Sequence, residues 1–362
     1  MEKRWDKSLE ELIDDTKTFL DEHEPEQQPR EETPEQRELP TPEARRADRQ
    51  RRNKKRKKRK ALVWIGLLLL LIAAFAVWFF TAGQPTGGEM RLDEETCAER
   101  KAGTCSVLLA GTDEGGMRTD TMLLLHLDAS ARKASLISLP RDTYVRGNYG
   151  VAKLNSALGA GGGGEEGMQE LLLQVTDLIG YRPDGYALID LDGFVDMIDL
   201  LGGIKFDVPQ DMYYNDPTQD LHIDLKAGMQ RLNGEEAMGV VRYRSGYAQA
   251  DLRRVEVQRD FLKAAAEQYL NIVHLPKAPL LVSKFAASTT TDLTSGNLMW
   301  IARTLLSCDR EQIQMQTLPG VPRMRSGVSY YLVNAEEAAQ LLNECANPYQ
   351  TEITADMLKV RG

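Results

Sequence analysis

SVLLAGTDEGGMRTDTMLLLHLDASARKASLISLP, residues 106–140, decides how the rest of the chain is read. It contains three short runs, SVLLAGTD (106–113), TMLLLHLD (121–128) and KASLISLP (133–140), each almost continuously apolar. A strand covered on one face only alternates apolar and polar residues, so runs like these predict strands buried on both faces. Downstream, 165–179 and 192–201 read as helices, GYALIDL (185–191) and IKFDVP (204–209) as further strands, and 233–241 and 251–270 as helices. Helices alternating with doubly buried strands specify an α/β layered domain with a central sheet. In such folds binding groups gather at strand ends, where loops meet, and the polar clusters of this sequence fall there.

Outward from that core the composition changes abruptly. The chain has 362 residues with a formal net charge of -9, which argues against a general nucleic-acid binder. The charge is segregated: residues 1–44 hold 6 basic and 15 acidic groups, 45–60 hold 12 basic and one acidic, and the remaining 302 hold 27 basic and 38 acidic. Residues 61–80, ALVWIGLLLLLIAAFAVWFF, carry no charge, and about 20 residues of helix span the roughly 30 Å hydrocarbon core of a bilayer. Trp64 and Trp78 stand near its two ends, where amphipathic rings prefer the interface. Bulky Trp78, Phe79 and Phe80 stand where signal cleavage needs small residues, so an uncleaved anchor is expected. The basic block preceding it could in isolation be a nucleic-acid patch. Abutting an apolar segment, it reads instead as a topology determinant that also attracts anionic lipid.

The expected organisation is therefore a cytoplasmic head (1–60), a transmembrane anchor (61–82), a linker (83–102) and an extracytoplasmic domain (103–362). The head combines a short amphipathic helix carrying Trp5, Leu9, Leu12, Ile13 and Leu20 with a Pro/Glu/Gln-rich tether over 24–44. Four cysteines, Cys97, Cys105, Cys308 and Cys345, form no C-x-x-C pair, which argues against zinc. Pairing of Cys97 with Cys105 and of Cys308 with Cys345 is one reading, and free buried thiols are the other.

Three polar clusters carry candidate chemistry. In GTDEGGMRTDT (111–121), Asp113 and Asp120 flank Arg118; two carboxylates at strand ends suit a hard divalent cation, while the same residues also suit a plain hydrophilic hairpin. In LPRDTYV (139–145), Arg141 and Asp142 end an apolar strand, either as a functional pair or as a surface pair closing a turn, and Lys153 and Asn155 follow. Gly161–Gly164 lack the GK[ST] of a phosphate loop and read as a flexible connection.

The third cluster, VVRYRSGYAQADLRRVEVQRDFL (240–262), is the most informative. If its start is extended, Arg242 and Arg244 share a face. In the helix that follows, at about 100° per residue, Arg253, Glu256, Asp260, Lys263 and Glu267 fall on a solvated side. Asp251, Arg254 and Gln258 fall on the side that becomes apolar at Phe261, Leu262 and Ala265. Polar groups on a core-facing stripe require partners. An internal Asp251–Arg254 pair would satisfy them; so would an anion bound by planar guanidinium groups.

GTD…RTDTM, SLPRDTYV, KLN, GEEAMGVVRYR and D-x-x-R-x-x-x-Q, in this order over about 107–268, resemble the LytR–CpsA–Psr family. The resemblance implies an α–β–α sandwich with a central mixed sheet and an apolar tunnel for a prenyl chain. It also implies transfer of a glycopolymer (teichoic acid, capsule or a related polysaccharide) from undecaprenyl pyrophosphate to peptidoglycan. By motif, Asp113 and Asp120 would hold Mg2+, or Mn2+ in its place. Arg118, Arg141, Lys153, Arg242, Arg244, Arg254 and Gln258 would bind the pyrophosphate, and Asp251 would orient the arginines. Val257 and His126 depart from the family pattern, and 276–362 match it less clearly. A lipid-carrier pyrophosphatase and a membrane-anchored envelope regulator are the alternatives. None of the four histidines neighbours a Ser or Cys in any motif, so triad chemistry is not expected and direct attack on phosphorus fits better.

Overall fold

The computed structural model describes residues 83–360 apart from 93–95, 114, 147–151, 217–220, 244–249 and 270–277, together with isolated positions between 70 and 81. Of 250–255, 278 and 310 only the backbone is described. The chain divides into two units, Met1–Ala73 and Ala74–Gly362. The head, the basic block and most of the expected anchor lie outside the described residues. Among the described residues no helix is long and apolar enough to cross a membrane.

The three opening runs form strands β1 (Thr104–Thr112), β2 (Thr119–Asp128) and β3 (Lys133–Ser138), an antiparallel meander. Helix α1 (Gly164–Ile179) then crosses to β4 (Gly185–Ile189), which pairs in parallel with β1. Helix α2 (Leu191–Leu201) leads into four short strands: β5 (Ile204–Val208), β6 (Met212–Asp216), β7 (Leu221–Leu225) and β8 (Gly228–Leu232). Helices α3 (Gly234–Arg242), α4 (Ala250–Tyr269) and α5 (Ala278–Ala287) follow, then β9 (Thr289–Thr291) and α6 (Ser295–Ser307). The chain closes with β10 (Ile313–Thr317), a hairpin of β11 (Gly320–Arg325) and β12 (Val328–Val333), and α7 (Ala335–Cys345). The central mixed sheet has the order β10-β3-β2-β1-β4-β9.

Both faces of this sheet are covered, as the apolar runs require. Leu108, Ala110, Met122, Leu124 and Ile137 pack on one face with residues of α1 and α7. Cys105, Val107, Leu125, Leu127 and Ala134 pack on the other with α5 and α6. The period-two split along each strand assigns each side chain to its layer. A fully buried side chain such as Leu108 or Leu124 contributes about 1.5–3 kcal/mol. A third core, built by α2, β5–β8, α3 and α4, carries Phe206 and Phe261. The strand expected at 204–209 thus forms as β5 but pairs with β8 outside the central sheet.

The helix ends follow local chemistry. Asp190 caps α2 by accepting from the Gly193 amide, at 2.7 Å. Asn233 and Glu236 close a capping box on α3, and Thr294 and Asn297 another on α6. Gly162, Gly163 and Gly164 have φ of 99°, 76° and 54°, so the glycine run is a left-handed turn into α1.

Several expectations are corrected. All four cysteines are free. Cys308 packs against the α5/α6 side of the sheet and Cys345 against the α1/α7 side, so the sheet lies between them. Cys105 is buried, its thiol pushed well up by burial, whereas Cys97 is exposed. The stretch expected as a linker, 83–102, packs onto the domain: Met90 is fully buried, and Arg100 pairs with the buried Asp184. Asp184 also accepts from the Ser106 amide (2.7 Å) and the Gly88 amide (3.0 Å). His126, unusual in a buried strand, has its Nδ1 2.9 Å from Ser106 Oγ, which lies 3.1 Å from the Tyr181 hydroxyl. Tyr181 donates to the Ala346 carbonyl at 2.6 Å. Burial drives His126 down to about 4, so its imidazole is neutral.

Candidate active site

At the opposite end of β1 the sheet opens into a cavity of about 1030 Å³. The β1–β2 loop forms one wall. A register shift at Gly111/Thr112 releases the strand, and Asp113 then organises the turn: its Oδ1 accepts from the Met117 and Arg118 amides, both at 3.2 Å. The turn read from the sequence therefore forms, and the second carboxylate oxygen takes no part in these two bonds. Asp120, second in the return strand, accepts from Arg141 Nη1 at 2.9 Å.

Arg141 stands where β3 ends. Its carbonyl accepts from the Asn155 amide (3.0 Å), and Tyr144 bridges to Lys153, so this backbone brings Lys153 beside it. Lys153 Nζ donates to Asp142 Oδ1 at 2.7 Å, and Asp142 Oδ2 lies 3.8 Å from Arg141 Nε. Asp142 is thus a hub between two cations.

The third wall comes from α3 and α4. Arg242 ends α3, where a cation complements the helix dipole, rather than starting an extended segment as expected; the capped helix runs one residue further than the sequence suggested. Gln258, on α4, donates to the Val241 carbonyl at 2.9 Å and ties the two helices together. The solvated face read along α4 holds, with Glu256, Asp260, Lys263 and Glu267 exposed and Phe261 buried. Val257 is buried in the third core, where a basic residue would be costly.

Asp113, Arg118, Asp120, Arg141, Lys153, Arg242 and Gln258 all line this one cavity. Arg244 and the side chains of Asp251 and Arg254 lie outside the described residues. Two further features escaped the sequence. One is the identity of the apolar lining residues, including Leu109, Leu123, Ile189, Phe194, Val241 and Leu262, which come from separate elements that no local pattern links. The other is Tyr330 on β12, whose ring centroid lies 5.5 Å from Lys153 Nζ. Of the described lining residues, Arg118, Arg141, Lys153 and Arg242 are cationic and Asp113, Asp120, Asp142 and Asp190 are acidic. The described lining is therefore balanced in formal charge. Among the described residues no three His, Cys, Asp or Glu side chains gather into a metal cage.

The model of the LytR_cpsA_psr family matches residues 81–347. The probable cell wall biosynthesis protein LcpB of Corynebacterium glutamicum is 40% identical over 156 residues, 42% of this chain and 35% of that protein. The regulatory protein MsrR of Staphylococcus aureus is 32% identical over 200 residues, 52% of this chain and 58% of that protein. The chain thus spans from about a third to under three-fifths of the length of these curated relatives. Among solved structures, TagT bound to LI-WTA superposes with a TM-score of 0.55 at 20% identity, covering 74% of this chain and all of that one. That likeness is one of fold.

Proposed function

The chain belongs to the LytR_cpsA_psr family, and we propose that it is a membrane-anchored, extracytoplasmic phosphotransferase. In this reading it moves a glycopolymer from undecaprenyl pyrophosphate to peptidoglycan during cell wall assembly. The observation that carries the reading is the cavity's mixed lining, in which charged side chains and amides share one cavity with apolar side chains. A prenyl pyrophosphate has the same mixed chemistry. The relative named for cell wall biosynthesis and the fold neighbour bound to LI-WTA support the same class of substrate.

Charge balance bears on the metal. A pyrophosphate diester brings about two negative charges to a lining that is neutral in its described residues, and a divalent cation offsets them. Mg2+ takes one or two carboxylates and completes its shell with phosphate oxygens and water. Asp113 on the β1–β2 loop and Asp120 near the start of β2, both lining the cavity, fit that requirement. Mg2+, or Mn2+, would neutralise charge on the pyrophosphate oxygens.

The chain's own residues supply the rest. Arg118, Arg141, Lys153 and Arg242 hold the phosphates, Gln258 adds an amide donor, and Arg244 and Arg254, held in line by Asp251, extend the set. The apolar lining accepts the start of the prenyl chain and excludes water. An acceptor hydroxyl of peptidoglycan attacks the sugar-side phosphorus. The bond from that phosphorus to the bridging oxygen breaks, and prenyl phosphate leaves with the bonding electron pair and takes up the proton that the hydroxyl gives up. Guanidinium groups already in place stabilise the charge that spreads over the phosphoryl oxygens.

The test is to supply radiolabelled lipid-linked polymer with isolated wall. Label appearing on wall, dependent on Arg141, is the expected result. Label released from lipid but never attached would replace transfer with pyrophosphate hydrolysis.

A further inference from the structure

The glycines ahead of α1 do more than make a left-handed turn. Gly159 lies in the helical turn Ala157–Ala160, and its φ is not positive. Alanine is the better helix former, so neither the local backbone nor the helix asks for glycine there. The approach of the β1–β2 loop does. A Cβ at Gly159 would lie 2.5 Å from the Met117 carbonyl oxygen. One at Gly163 would lie 3.1 Å from the Met117 sulfur and 3.5 Å from the Gly116 carbonyl oxygen. The loop thus rests on a seat of two glycines.

The seat is fixed in place. Ala157 and Leu158 are fully buried in the core that α1 shares. The Gly163 amide donates to the Leu158 carbonyl at 2.9 Å, and Gly167 of α1 packs so closely on that carbonyl that a Cβ would lie 2.2 Å from its oxygen. The same segment continues back to Lys153: Leu154 is fully buried, and the Ser156 amide donates to the Lys153 carbonyl at 3.0 Å. Lys153, Asn155 and Ser156 all line the cavity.

The loop is equally a unit. The Asp113 amide donates to the Arg118 carbonyl and the Gly116 amide to the Asp113 carbonyl, both at 3.0 Å, beside the two bonds that Asp113 Oδ1 accepts. A shift of the Met117 peptide is therefore passed on to Asp113. The long side chain of Arg118 can follow its ligand through such a shift, but the short one of Asp113 cannot. Mg2+ tolerates little misplacement, because it demands short bonds in near-ideal octahedral geometry.

Resting on the transferase reading and its divalent cation, we propose that Gly159 is a positioning residue for Asp113. By leaving room for Met117 it sets the separation between the β1–β2 loop and the Lys153 segment, so that a cation on Asp113 and phosphates on Lys153 share one site. Gly159→Ala forces the loop back by about 1 Å, since ordinary contact begins near 3.4 Å.

Calorimetric titration of the full-length chain in detergent micelles with geranylgeranyl pyrophosphate, at stepped Mg2+ concentrations and in chelator, tests this. Mg2+ should tighten binding to the unaltered chain. In Gly159→Ala the Mg2+ midpoint should rise roughly tenfold, while affinity in chelator stays within about twofold and the melting temperature within about 2 °C. An unchanged midpoint overturns the positioning role. So does an equal loss of affinity with and without Mg2+, which would mark general damage to the cavity. If Gly159→Ala lowers the melting temperature further, Met117→Ala decides. It removes the sulfur resting on Gly163 without adding an atom to the turn, and should raise the midpoint roughly threefold. An unchanged midpoint in that variant overturns the role. Absence of any Mg2+ effect on the unaltered chain removes the cation from the transferase reading, and failure of geranylgeranyl pyrophosphate to bind removes the reading itself. Either result takes the positioning role with it.

Discussion

Two arginine–aspartate pairs of this domain should respond in opposite ways to the same substitution. Arg141 pairs with Asp120 at 2.9 Å, with side-chain exposures of 23% and 40%. Arg100 pairs with Asp184, with exposures of 18% and 1%. Arg141→Met leaves Asp120 in contact with water, so folding should lose less than about 1 kcal/mol. It does remove a charge-assisted donor from the cavity, worth about 1.5–3 kcal/mol of ligand affinity, or roughly ten- to a hundredfold in Kd. Arg100→Met leaves a carboxylate in the interior with only the Ser106 and Gly88 amides. Stranding a buried charge destabilises by about 3–5 kcal/mol, a fall in Tm on the order of 10 °C for a domain of this size. Calorimetric titration with geranylgeranyl pyrophosphate and a thermal melt, run on both purified variants, measure the two quantities separately. A large drop in Tm for Arg141→Met with unchanged Kd would refute the reasoning, because Arg141 would then be a structural residue that happens to line the cavity.

Three more outcomes are expected. Chelation of divalent cations, or Asp120→Asn, should abolish transfer while the melting curve stays within about 2 °C; unchanged transfer in either condition removes the metal from the scheme. His126 is neutral in the folded protein, with burial holding it near 4, whereas the unfolded chain takes up that proton near 6.5. The unfolded state therefore binds more protons between those values, and stability should fall by up to about 3 kcal/mol as pH drops from about 6.5 to about 4. His126→Gln should flatten that part of the Tm–pH curve, and an identical slope in the variant would show that another group is responsible. Protease added to intact protoplasts should digest the chain after about residue 83 and spare the first 60 residues; protection of the large domain would reverse the proposed topology.

Sequence alone determined the elements whose identity is local. Doubly buried strands announce themselves as unbroken apolar runs, and β1, β2 and β3 form within a few residues of 106–113, 121–128 and 133–140. The faces of α4 were legible because residue angles in a helix are fixed by its geometry, and the polar loops were legible because loops at strand ends must stay solvated. Only the tertiary structure could decide which distant segments meet. Strands β9 and β10 close the central sheet at its two edges, from a region with no strong pattern of its own, and β5 leaves that sheet to pair with β8. The apolar lining of the cavity and the approach of Tyr330 to Lys153 each join residues far apart in the chain. Side-chain periodicity records which face a residue presents, and nothing in it records what that face will touch.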